Sequence, residues 1–463
     1  MELLTIDDIL QATGGSLLSS GKQMETTFVS TDTRTVKPGD LFIALKGDKF
    51  DAHDFIGDAL SKGCSMIIVS NPNISIPSHV TAINVPDTLT ALGDLAAFYR
   101  QRYSFKVVAV TGSNGKTTTK DIIGTLLADK CDITITRGTR NNLIGVPLTI
   151  LSASANQRIL ILEHGINQFG EMRRLGSITS PDLVVITNIA QSHLEFLENE
   201  DGVFKAKTEI LSVMNPNGRL IFFHDDYFLP KVKAISPCPI TTFGICEGAD
   251  FKAKNIRLEA NGSQFDLDIH NVISKHVVLP ISGEHNICNF LAAAATIESL
   301  GFSWDSIAPA VEKITLPSMR FETVTINDIT IINDAYNANP ASTKVAVMEL
   351  MRMESHGKKI MIFADMLELG AKKEQYHREI GSLLESSRLD VLITVGDLAS
   401  LTADQIRENP QLTKIVLKKS EQVFPILREL LEAGDVVLLK GSRGNQLETI
   451  IDTIKELYKT ETI

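Results

Sequence analysis

One stretch constrains this chain more than any other: residues 107–120 read V-V-A-V-T-G-S-N-G-K-T-T-T-K, a β-branched run that breaks into glycines and then into a lysine and threonines. The run before Gly112 has the character of a buried parallel strand, and 121–130 predicts a helix, so the glycines fall at a strand-to-helix turn. Backbone N–H groups and the positive end of a helix face whatever lies above such a turn, which suits a phosphate. Lys116 would reach the outer phosphates of a polyphosphate, and the Thr117 hydroxyl would ligate Mg²⁺. The pattern is a compressed variant of G-x-x-x-x-G-K-[ST], because Val110 stands where that pattern has its first glycine. By average residue usage the shorter form arises by chance in roughly one or two chains in a hundred of this length, so it needs support from elsewhere in the sequence.

The 463 residues suffice for about three domains of ordinary size. A net charge of −11 argues against nucleic acid as a partner while leaving room for local anion sites. The N-terminus carries acids where a leader would carry basic residues, and no apolar run approaches a membrane span, so a cytoplasmic location is expected; a monomer is expected as well. Five scattered cysteines without a C-x-x-C pair read as small core residues.

The expected architecture is α/β in three domains. Residues 1–104 form a small α/β unit with strands near 41–45 and 65–69. Around these lie Ser30, Thr31 and Arg34, then Lys46-Gly47-Asp48 and His53, polar loops that suit an anionic ligand and equally suit an ordinary surface. Residues 105–315 hold the phosphate loop on a parallel sheet. Two more strands in this unit, 158–162 and 183–186, run into Glu163 and into Thr187-Asn188 with His193 just beyond. Ligands of open parallel sheets bind beyond the carboxyl ends of strands, so Lys116, Thr117, Glu163 and His193 should share one rim. From 215 to about 280 short alternating runs predict an antiparallel β subsheet, followed by an alanine-rich helix around 289–295 with Asn286 at its start. Residues 316–463 alternate strands (329–332, 359–363, 391–395, 436–439) with helices, a second, Rossmann-like open sheet. Polar residues again cluster at its strand ends, among them Asp334, Asn337, Asn339, Lys440 and Arg443.

Taken together these stretches resemble the muramyl ligase family. The resemblance rests on T-G-S-N-G-K-T-T-T at 111–119, N-N-L-I-G-V-P at 141–147, T-N-I-A-Q-S-H-L-E at 187–195 and A-K-T-E at 206–209. It continues through G-E-H-N-I-C-N at 283–289, Y-N-A-N-P at 336–340, D-M-L-E-L-G at 365–370 and K-G-S-R-G at 440–444, in order along the whole chain. It implies an ATP- and Mg²⁺-dependent, ADP-forming ligase of the cytoplasmic stage of peptidoglycan synthesis. The members it most resembles join D-alanyl-D-alanine to UDP-N-acetylmuramoyl-tripeptide through an acyl phosphate.

Residue by residue, the resemblance places Gly112, Ser113, Asn114, Gly115, Lys116, Thr117 and Thr118 on ATP, with Asn286 at adenine. Arg320 and Asp334 would close over phosphate and ribose. Thr117, Glu163, His193 and Lys207 would hold metal, the last as a carbamate. Ser30, Thr31, Arg34 and Lys46 would take the UDP moiety and Asn142 the muramoyl peptide, while Asn337, Asn339, Lys440 and Arg443 would receive the dipeptide. Catalysis would fall to Lys116, Lys207 and Arg320. His164, Ala52 and Ala364 depart from the family pattern without removing a reacting group. A sister ligase for another amino acid, or a nucleotide-driven switch without ligation, are the competing readings.

Overall fold

A buried strand, Lys106–Thr111, stands between two others of the same kind, Ile159–Glu163 on one side and Leu183–Ile186 on the other, all parallel. Chain order therefore reverses direction across the first strand, which makes its carboxyl end a topological switch point. The structure, a computed structural model, describes residues 1–47, 49–259, 262–407 and 409–459. Asp48, expected in the turn after Lys46, lies outside them.

The three strands are the heart of a nine-stranded sheet. Val107 to Val110, Leu160 to Leu162 and Val184 to Ile186 are all fully buried, because helices cover both faces. Each valine, leucine and isoleucine among them contributes roughly 1.5–3 kcal/mol on leaving water. The sequence expectation of an antiparallel region from 215 onward needs correction. Arg219–Phe223 and the unforeseen strand Ile240–Gly244 continue the parallel array, and Phe251–Glu259 still joins it in parallel. Antiparallel pairing starts only with Gly262–Ile269 and Ile273–Leu279, as an extension of the same sheet. The physical reason is burial on both faces: Leu220, Ile221 and Phe222 are all inaccessible, so periodicity carries no direction there.

The loop helix also differs from its expected span. It covers Lys116–Leu127, starting five residues early behind Gly115, which adopts φ 81°. A threonine run is a poor helix former, but here Thr118, Thr119 and Lys120 are buried and the Thr119 hydroxyl lies 3.3 Å from Asn289 Oδ1, so tertiary contacts decide. Asn289 belongs to the helix Glu284–Ser299, whose Ala292, Ala293 and Ala295 are completely buried and let the two helices approach closely.

Before this sheet comes a five-stranded one, parallel through Val29–Ser30, Leu41–Ile43, Met66–Val69 and Thr81–Asn84. Its last helix, Thr88–Arg102, leans on the central unit: the Tyr99 hydroxyl donates to Ala153 O at 2.6 Å and Arg174 meets Asp94 at 2.8 Å. After it comes a six-stranded sheet, parallel except for the edge strand Glu322–Ile326. Strands Ile329–Asp334, Lys359–Ala364, Val391–Val395 and Val436–Lys440 lie where the sequence put them, and Thr413–Leu417 completes the edge. No helix among the described residues is long and apolar enough to cross a membrane.

Candidate active site

Two glycines make the phosphate loop possible. A Cβ on Gly112, at φ 143°, would lie 1.9 Å from Thr187 Oγ1, and one on Gly115 would lie 2.2 Å from Asn289 Oδ1. Between them Ser113 is pinned from the neighbouring strand end: its hydroxyl donates to Ala190 O at 2.7 Å and accepts from Ala190 N at 2.9 Å. Asn188 Oδ1 accepts from Asn114 N, and Thr187 donates to Asn114 O. Val110, the residue in place of the usual first glycine, is simply a buried residue one short of the strand's end. The loop is thus a rigid backbone cradle of the kind that phosphate requires.

Lys116 folds back over this cradle, its ammonium donating to Gly112 O at 2.8 Å and Ser113 O at 3.2 Å. Burial brings its pKa down to about 8, with Glu163 working the other way. Thr117 donates to Glu163 Oε2 at 2.8 Å, and Asn141 holds Oε1 of the same carboxylate at 2.9 Å. Glu163 itself is the last residue of its strand and only 1% exposed. His193 lies 2.7 Å from Glu368, which arrives from the third sheet.

Lys207, in the last turn of Glu200–Thr208, is equally buried, at 1% exposure. Its burial, and then the charge of Lys116, push its pKa well below that of an ordinary lysine. Next to Glu163 in the chain, His164 is fully buried with neither ring nitrogen bonded among the described residues, and burial takes its pKa to about 3. It therefore stays neutral and adds no charge next to Glu163.

The third sheet covers this rim. The Arg320 guanidinium sits 4.0 Å over the Tyr336 ring, and Asp334 meets the buried Lys440 at 2.7 Å. Together the two units enclose a cleft of about 790 Å³, into which Ser113, Asn114, Gly115, Lys116 and Thr118 open from the loop. Glu163, His193, Lys207, Asn142 and Asn286 line it from the central unit, and Arg320, Asp334, Asn337, Asn339 and Lys440 from the third. Gly112 and Thr117 lie just behind that lining.

Several expected ligand groups are already committed. Lys440 donates to Asn337 O at 2.8 Å as well as pairing with Asp334, so it joins two strand ends rather than waiting for a dipeptide carboxylate. Asn339 caps the helix Pro340–Arg352, accepting from Ser342 N at 2.8 Å, and donates to Asn114 Oδ1. Asn142 Oδ1 likewise accepts from Gly145 N. Arg443 stands outside the cleft, between Met319 and Glu448. In the first sheet Ser30 bonds within its own turn, and Thr31 and Lys46 do not reach the cleft. Arg34 clasps Asp32 at 2.7 Å, and that guanidinium holds the Asp32 carboxyl down at about 2.

Sequence reasoning gave no role to His285, a half-buried ring lining the cleft beside Asn286 whose pKa desolvation lowers to about 4. Nor did it single out Asn289, Asn188 or Glu368. The signal for the first two was their place beside residues already chosen in G-E-H-N-I-C-N and T-N-I-A. For Glu368 it was the acid two residues before Gly370 at a strand end.

This arrangement has close counterparts. The Mur ligase middle domain matches residues 110–297, the Mur ligase family catalytic domain 25–100, and the domain described as "Mur ligase, glutamate ligase domain" 319–443. The UDP-N-acetylmuramoyl-tripeptide–D-alanyl-D-alanine ligase of Bacillus subtilis is 34% identical, with 98% of each chain covered, and that of Escherichia coli 33%, again 98% of each. Among solved structures, MurF from Acinetobacter baumannii superposes with a TM-score of 0.91 at 32% identity, covering 98% of this chain and 99% of that one. MurF from Thermotoga maritima in complex with ADP gives 0.83 at 27%, covering 94% and 98%. With phosphate loop, strand ends and third-sheet cover all in the family's order, and with full-length relatives above 30% identity, this chain belongs to the Mur ligase family.

Proposed function

We propose that this protein joins D-alanyl-D-alanine to UDP-N-acetylmuramoyl-tripeptide, with ATP converted to ADP and phosphate. The observation that carries the reading is one cleft in which Lys116 of the phosphate loop faces Arg320 of the third sheet, in a chain similar end to end to ligases of that name. The units act as 1–104 for the UDP end, 105–315 for ATP and 316–463 for the dipeptide and closure. The proposed working unit is a monomer. ATP and UDP-linked substrates place the reaction in the cytoplasm.

A carboxylate does not react with an amine until one oxygen becomes a leaving group. The tripeptide's terminal carboxylate oxygen forms a bond to the γ-phosphorus as the bond to the β-bridging oxygen breaks, and ADP leaves. The dipeptide's free amine then attacks the acyl carbon, loses one proton, and phosphate departs. Lys116 and Arg320 offset charge on the transferred group, and the loop N–H groups hold the phosphates in line.

Among the described residues no group of three or more His, Cys, Asp and Glu is placed to hold a metal unaided. The oxygens of Thr117 and Glu163 nevertheless suit Mg²⁺, which commonly takes one or two protein oxygens and completes its shell with nucleotide phosphates. His193 and a carbamylated Lys207 would serve a second ion. Bound there, Mg²⁺ would supply charge neutralisation of the phosphates.

The deciding experiment supplies ATP, Mg²⁺, D-alanyl-D-alanine and UDP-muramoyl peptides ending in lysine or diaminopimelate, and identifies the product by mass. Phosphate release independent of any peptide would instead favour a nucleotide switch. Product with single amino acids but not with the dipeptide would favour a sister ligase.

A further inference from the structure

His193 and Glu368 are both non-glycine residues in the left-handed region, at φ 53° and 61°, and they face each other across two units of the chain. Their side chains approach to 2.7 Å, Glu368 Oε2 beside His193 Nδ1. Nδ1 is buried and has no other partner among the described residues, so Glu368 Oε2 is the acceptor placed to take its N–H. The backbones meet as well, because Glu195 N donates to Glu368 O at 3.1 Å. Gly370 fits against this segment only because it lacks a side chain: a Cβ there would come within 2.9 Å of Leu194 O.

The loop that presents Glu368 is braced from three directions. Met366 N donates to His377 Nε2 at 3.0 Å, Leu367 N to Ser442 Oγ at 2.9 Å, and Asn445 Nδ2 to Asp365 O at 2.9 Å. Unfavourable backbone conformations held this firmly, on both sides of one contact, mark a position where the surrounding structure imposes a geometry.

We infer that Glu368 is a positioning residue for His193: its carboxylate accepts a hydrogen bond from Nδ1–H, fixes the imidazole tautomer and leaves Nε2 for a divalent cation in the cleft. A histidine that ligates a metal through one nitrogen ordinarily donates the other N–H to such a partner, which fixes the ring and raises its basicity. Here the partner belongs to the third sheet, so the metal-ready histidine exists only when that sheet covers the loop. Closure and completion of the metal site thereby become one event. The inference rests on the proposed metal role of His193.

The test uses Mn²⁺ as a paramagnetic probe on the full chain with a bound non-hydrolysable ATP analogue, and small-angle scattering to follow closure. Glu368→Gly removes the carboxylate while suiting the left-handed backbone, so it separates positioning from strain. Glu368→Gln keeps an acceptor oxygen. The expected result is about 10-fold or greater weakening of Mn²⁺ binding in Glu368→Gly, a smaller loss in Glu368→Gln, and an unchanged radius of gyration in both. If His193→Ala weakens Mn²⁺ binding and Glu368→Gly does not, the inference is overturned while the metal reading stands. If His193→Ala also binds Mn²⁺ normally, the metal reading fails and takes the inference with it. A Glu368→Gly protein that no longer closes would make Glu368 a latch, which also overturns it.

Discussion

Asn339 Nδ2 donates to Asn114 Oδ1 at 2.8 Å, so the first turn of a helix in the third unit is bonded directly to the tip of the phosphate loop. Asn114 is itself held by Thr187 and Asn188, which leaves the loop little freedom to follow the third unit if that unit moves. Asn339→Ser should separate the two jobs of this residue. Serine is a good helix N-cap, so stability should stay within about 0.5 kcal/mol, but its side chain is too short to reach Asn114. Loss of one hydrogen bond of ordinary strength, about 1 kcal/mol, should lower kcat by roughly 5-fold with little change in Tm. A Tm drop with unchanged kcat would show that the contact serves folding alone.

The first and third units should fail differently. Arg34→Ala should raise KM for the UDP substrate by a modest factor and leave KM for ATP alone, since its guanidinium is 86% exposed and already shares its charge with Asp32. Arg320→Ala should lower kcat by about 100-fold or more, because its charge acts on the transferred phosphoryl group in a covered site. Steady-state kinetics with each substrate varied in turn decides this. Matching profiles for the two variants would refute the division of ligands between units.

Lys116 gives the reaction a pH signature. Its folded pKa of about 8 lies below the ordinary lysine value of 10.5, so the unfolded chain holds more protons between those values. The penalty this lysine imposes on the fold is therefore complete below about pH 8 and fades as pH rises towards 10.5. Binding of anionic ATP has the opposite demand, for the protonated form. In the free enzyme kcat/KM for ATP should fall as pH rises through about 8. Lys116→Arg should lose most activity, yet whatever remains should lack that alkaline limb, because a guanidinium keeps its proton. An unchanged limb in this variant would assign it to another group.

The phosphate loop, Glu163 and His193 were legible because adjacent parallel strands present their ends on one rim, and each strand announces itself as a short apolar run. What escaped was pairing across units. Nothing in the spacing of Asp334 and Lys440, 106 residues apart, says that they neutralise each other, or that Asn339 would turn towards Asn114. Polar residues at strand ends look alike in sequence whether they await a ligand or hold one another. Strand direction was lost for the same kind of reason at Arg219–Phe223, where burial on both faces erases the alternation that distinguishes an exposed antiparallel strand.

Lys207 is the least comfortable residue in the cleft: 1% exposed, and depressed in pKa by burial and then by the charge of Lys116. An ammonium offers three donors and no acceptor, so as it stands it can hold no metal. The same surroundings favour the neutral amine, the form that attacks CO₂. The resulting carbamate is an anion with two oxygens, which would reverse the repulsion from Lys116 and supply hard ligands to Mg²⁺. Lys207→Ala should therefore lose ligation by more than about 100-fold, as expected when a metal site is dismantled, and small carboxylates such as acetate should partly restore it. Lys207→Arg should remain inactive although it keeps the charge, since guanidinium does not form a carbamate at neutral pH. Carbon-13 NMR in labelled bicarbonate gives a readout independent of turnover: a carbamate signal present in the parent protein and missing from Lys207→Ala. Full activity in the arginine variant, or an NMR spectrum identical in parent and alanine variant, would leave Lys207 as a cation acting by charge alone.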